Sequence, residues 1–105
     1  MSIHIGSCSR QETIVVATRS SVYELVVLQG ELGDVLVRGG SYFKAFRRVL
    51  LLGSTAPGGF LKSRTIEIGS CMKFLVDGRL LVTSPVRSLS RHSASAASGA
   101  CAAAG

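Results

Sequence analysis

The densest chemistry in this sequence lies at Tyr42-Phe43-Lys44-Ala45-Phe46-Arg47-Arg48, where aromatic rings interleave with cations. Single-stranded nucleic acids are bound by such mixtures, because bases stack on rings and phosphates draw cations. Lys62 and Arg64 continue the basic character downstream. Tyr42, Lys44, Arg47, Arg48, Lys62 and Arg64 are therefore the candidate nucleic-acid-binding residues. The plainer reading is a solvated basic face. Only six aromatics exist, and Phe46, Phe60 and Phe74 are expected in the core. Arg38-Gly39-Gly40 is a single RGG, and the string after it lacks the aromatic that an RNP1 motif places directly after Arg-Gly.

Other chemistries find less. The two histidines, His4 and His92, stand near the two ends in sequence with little pattern. Nucleophilic catalysis needs a positioned base, so no catalytic residue is assigned and the chain is read as non-enzymatic. A carboxylate pair from Glu24 and Glu67 would be the exception. Both are expected to face solvent from strands. Cys8, Cys71 and Cys101 form no C-x-x-C pair, so neither a zinc site nor a disulfide framework is expected. Cys71 reads as a small buried hydrophobe. Gly53 to Gly59 is Gly-rich but lacks the Gly-Lys-Ser/Thr ending of a phosphate loop. No metal and no cofactor is assigned.

Composition bounds the rest. The 105 residues suit one domain, with 47% hydrophobic and 17% charged residues. The net charge is +6, and all but one of the twelve cations precede residue 88. The excess therefore belongs to the folded part and favours anionic partners in general. The longest aliphatic run, Val49 to Leu52, is far short of the ~18 apolar residues of a spanning helix. With no basic-then-apolar leader in Met1 to Arg10, a cytoplasmic location is expected.

The elements that must position these residues read as strands. Val, Ile, Leu, Thr and Tyr runs bounded by Gly, Ser and Asp occur at Thr13–Ala17, Val22–Leu28, Val35–Arg38 and Leu61–Gly69. In the last of these, Ile66 and Ile68 should face the same way. Met72–Val76 and Arg79–Thr83 flank Asp77-Gly78, which predicts a two-residue type I′ turn with both residues at positive φ. That turn opposes Val76 to Arg79, Leu75 to Leu80, Phe74 to Leu81, Lys73 to Val82 and Met72 to Thr83. One face then carries Met72, Phe74, Val76 and Leu81. The other carries Leu75, Leu80 and Val82. Both are apolar, which predicts cover on both sides, the outer cover being a loop, the N-terminus or another subunit. Pro85 is expected to end the strand.

Ser41 to Gly53 fits two readings. Phe43, Phe46, Val49 and Leu50 would share a helix face between a Ser41 cap and Gly53. That helix would be basic and interfacial, suited to a membrane surface. The strands on either side favour a strand over Phe46–Leu52 instead. The fold class expected is all-β: a small barrel or rolled antiparallel sheet of about six short strands. Residues 1–12 form a loosely ordered lead-in, 13–87 the domain, and 88–105 a disordered Ser/Ala tail.

Val22-Tyr23-Glu24-Leu25-Val26-Val27-Leu28, Asp34-Val35-Leu36-Val37-Arg38-Gly39-Gly40 and Thr83-Ser84-Pro85-Val86 resemble segments of small uncharacterised bacterial β-rich proteins. The resemblance covers about half the chain and implies a bacterial all-β domain, with no activity and no site residue attached. The resulting expectation is a non-enzymatic small β-barrel interaction module. Self-association to a homo-oligomer is one form of it. Binding of nucleic acid or another polyanion is the alternative.

Overall fold

The structure, a computed structural model, describes residues 1–92. It is all-β. Its strands are β1 (Ser2–His4), β2 (Thr13–Thr18), β3 (Val22–Gln29), β4 (Asp34–Gly39), β5 (Phe43–Thr55), β6 (Leu61–Ser63), β7 (Thr65–Glu67), β8 (Cys71–Val76) and β9 (Arg79–His92). The main sheet runs β4-β3-β2-β9-β8-β5-β6, and β4 also pairs with β5. That extra pairing closes β2, β3, β4, β5, β8 and β9 into an antiparallel ring. Closure removes the edges that a sheet this small would otherwise expose.

Two long strands make closure possible because each changes partner along its length. β5 pairs with β4 over Phe43–Leu50 and with β8 over Leu50–Thr55. It is a strand throughout, so the helical reading of Ser41–Gly53 falls, and the membrane-surface idea with it. β9 pairs with β8 up to Pro85 and with β2 from Val86 to His92. Pro85 therefore does not end the strand. It sits where β9 exchanges partners, with a register irregularity in each ladder, so its missing N–H interrupts neither.

Strand alternation fills the interior. Ile14, Val16, Leu25, Val27, Val35, Val37, Leu51, Met72, Phe74 and Val86 are fully buried or nearly so. Phe43 meets Phe74 edge-on at 5.9 Å between ring centres. At about 25 cal/mol per Å² of apolar surface, this shared interior supplies most of the folding free energy. Phe46 and Phe60, expected inside, are 39% and 95% exposed. Gly53 lets β6 branch from β5. Its φ of 147° suits glycine, and a Cβ there would collide with the Lys62 carbonyl.

Both ends are more ordered than composition suggests. β1 pairs with β7, Ile5 is fully buried, and its N–H donates to the Arg64 carbonyl at 2.8 Å. Arg64 breaks the expected strand over 61–69 in two, at φ 50°. Ile66 is consequently buried while Ile68 is exposed. At the other end, β9 continues through Ser88–His92. The remainder of the expected tail, 93–105, lies outside the described residues.

Candidate functional site

The six basic and aromatic candidates do not form one surface. Arg48 holds Asp34 through two hydrogen bonds of 2.9 and 2.6 Å. Arg47 is bonded to Asp77 in the β8–β9 turn. Lys62 pairs with Glu67 at 2.6 Å. Tyr42 packs edge-on against Phe43, and Lys44 is exposed without an ion pair. Arg64 is half-buried between β6 and β7, with its Nε unpartnered. Lys62 lies opposite Ser54, seven residues along β5 from Arg47. At about 3.3 Å per residue, that is roughly 23 Å away.

The strip at Phe46 is instead stitched to its neighbours. The Arg38 guanidinium lies 4.4 Å above the Phe46 ring and bonds Glu24 at 2.6 Å. A cation already satisfied by a ring and a carboxylate has less to offer a phosphate. Seven of the twelve cations have no ion pair among the described residues: Arg10, Arg19, Lys44, Arg64, Lys73, Arg79 and Arg87. They are spread over three strands (β5, β8 and β9) and three connecting segments.

Glu12 is the most buried carboxylate of an ion pair, and sequence reasoning missed it. Its buried carboxylate accepts from Arg91 at 2.5 and 3.1 Å and from the Ser9 N–H at 2.7 Å. The Arg91 hydrogen bond, outweighing the cost of burial, holds its pKa down at about 2. Arg48 likewise lowers the pKa of Asp34. Burial raises that of the Cys8 thiol, which keeps it protonated and a poor nucleophile. Glu24 and Glu67 are held by different cations on different strands. His4 and His92 are exposed. No cluster of three metal-ligating side chains occurs among the described residues. A groove of about 430 Å³ between the lead-in and the β3–β4 turn, lined by Cys8, Arg10 and Glu31, brings together no catalytic set.

The β8–β9 hairpin presents a different surface. Asp77 and Gly78 have φ of 51° and 76°, both positive as the turn requires. Val76↔Arg79, Leu75↔Leu80, Phe74↔Leu81 and Lys73↔Val82 pair as expected. The register then shifts, and Met72 donates its N–H to the Thr83 hydroxyl at 3.0 Å instead. The inner face, Met72, Phe74 and Val76, is buried. The outer face is bare: Leu80 is 56% and Val82 50% exposed. Leu50, Leu75 and Leu80 stand opposite one another on β5, β8 and β9, forming an aliphatic row across three strands. No loop and no part of the N-terminal segment covers Leu80 or Val82 among the described residues. Cys71 shares this outer side and is half-buried rather than buried.

No protein-family model, no curated protein and no solved structure matches this chain.

Proposed function

We propose that this chain is a non-enzymatic small-barrel interaction module that contacts another polypeptide through the outer face of the β8–β9 hairpin. The observation that carries the reading is the row Leu50–Leu75–Leu80 with Val82 beside it, bare at Leu80 and Val82 and partly exposed at Leu50, on the outside of a closed barrel. Contiguous apolar surface on a small domain marks interaction sites more often than scattered single residues do. Self-association would use the same face. A copy at +6 would, however, bring Lys73 and Arg79 toward their own kind, so a foreign chain is favoured.

Panning displayed random decapeptides against the barrel tests this reading. Selected binders should shift the NMR signals of Leu75, Leu80 and Val82, and Leu80→Lys should lose them. Binders that map to Tyr42–Arg48, or no binders at all, would overturn it. A nucleic-acid partner is the second reading. It rests, among the described residues, on seven cationic side chains without ion pairs against a single such acidic side chain, Glu31. Single-stranded oligonucleotide binding that weakens steeply with salt is its signature.

A further inference from the structure

The same hairpin leaves main-chain groups unpaired. In a two-residue hairpin the residues flanking the turn exchange both hydrogen bonds, and the pattern then alternates. Arg79 and Leu81 therefore bond to β8. The N–H and C=O of Leu80 and Val82 point to the opposite edge of β9. β2 occupies that edge only from Val86 onward. No other backbone bond reaches Leu80 or Val82 among the described residues. The long strands of the closed ring thus keep one-sided stretches where they change partner: Phe43–Arg48 of β5, Ser88–His92 of β9 and, on the β2 side of β9, Leu80–Thr83, beyond which the Ser84 hydroxyl already accepts from the Ser20 N–H at 3.2 Å. Of the three, Leu80–Thr83 alone has no charge or proline within it, although Arg79 and Pro85, residue types that usually blunt an edge strand, flank it closely.

The surroundings of this edge are one-sided in charge. Arg79 immediately precedes the stretch, and just beyond it Arg19 donates its backbone N–H to the Pro85 carbonyl at 3.0 Å. Lys73 lies opposite Val82, one strand in. None of the three has an ion pair among the described residues, and the carboxylate at the turn, Asp77, is bonded to Arg47. The aliphatic row is also too small to hold a partner alone, since stable interfaces bury about 800 Å² per side. Main-chain bonds must add to it.

Resting on the reading above, we propose that β9 takes an acidic, extended segment of a partner protein as an added antiparallel strand along Leu80–Thr83. Alternate partner side chains pack beside Leu80 and Val82 on the outer face. The intervening carboxylates meet Arg79 and Arg19. This is strand addition at a sheet edge, in which main-chain bonds give affinity and alternate side chains give choice.

The probe is a fluorescein-labelled decapeptide of alternating valine and glutamate, read by polarisation against the full chain. A valine–lysine peptide is the control. The glutamate peptide should bind at least roughly tenfold more tightly at low salt, and lose most of that advantage above physiological ionic strength. Val82→Pro should abolish binding yet keep the barrel, because the N–H it removes faces away from β8. In the unmodified chain, the Leu80 and Val82 amides should gain protection from hydrogen exchange when peptide is added, a readout that holds even if Val82→Pro fails to fold. Unprotected Leu80 and Val82 amides overturn the proposal. Equal binding of the lysine peptide at the hairpin overturns it too, but leaves the interaction-module reading standing. Failure of both peptides together with an empty panning experiment removes both.

Discussion

The wall formed by β3, β4 and the first half of β5 and the hairpin formed by β8 and β9 belong to one ring, yet they treat polar and apolar groups in opposite ways. On the wall, Glu24, Arg38 and Phe46 satisfy one another, and Asp34 holds Arg48. On the hairpin, Leu80 and Val82 are bare, and Lys73 and Arg79 have no ion pair. The wall looks chemically rich in sequence, and apart from Lys44 its charged groups already have partners in three dimensions. The hairpin looks like plain structure in sequence and is where valence is left over. Density of functional residue types is a weaker guide than whether their partners are already present.

The largest effect should come from the hairpin's hidden side. Phe74→Ala should cost about 4 kcal/mol in urea unfolding, while Leu80→Ala stays within about 0.5 kcal/mol. Similar losses at both sites would mean that the outer face is covered. Next is Glu12→Gln, which should cost about 2 kcal/mol by removing a charged acceptor from Arg91. The sign of its pH dependence follows from a folded pKa below the unfolded one. Its contribution is fully present above pH 4.5 and fades as the pH falls toward 2. Urea midpoints measured across that window should fall steeply in the parent chain and more gently in Glu12→Gln.

Asp34→Asn should have a smaller effect of the same sign, about 1 kcal/mol, because its partner Arg48 is largely exposed. Smallest of all, Lys73→Gln with Arg79→Gln should leave the unfolding midpoint unchanged while weakening the acidic peptide. An equal change in both measurements would mean that these cations support the fold instead of a partner.

How much of this was legible in the sequence depends on range. The Asp77-Gly78 turn and four of its register pairs are local, so four adjacent residues specify them. The doubly apolar hairpin was legible for the same reason. Ser41–Gly53 was ambiguous because Phe43, Val49 and Leu51 satisfy a strand's period while Phe43, Phe46 and Leu50 satisfy a helix's. Closure of the ring decided between them. The Arg91–Glu12 pair spans 79 residues of chain and leaves no local trace. Pro85 was misread because a proline reads as a stop until both neighbouring ladders are known. The open edge was invisible for that reason too: it exists only because β2 stops short of Leu80.

The partner exchange within β9 also sets an order of events. Thr13 pairs with His92, so the first long strand waits for the last before the ring can shut. Everything from Thr13 to His92 must leave the ribosome before the interior is sealed. Folding governed by such distant pairings is slow, on the scale of milliseconds to seconds, and leaves intermediates exposed to association. In this molecule, the late-closing half of β9, Val86–His92, and the half proposed to take a partner, Leu80–Thr83, are adjacent segments of one strand.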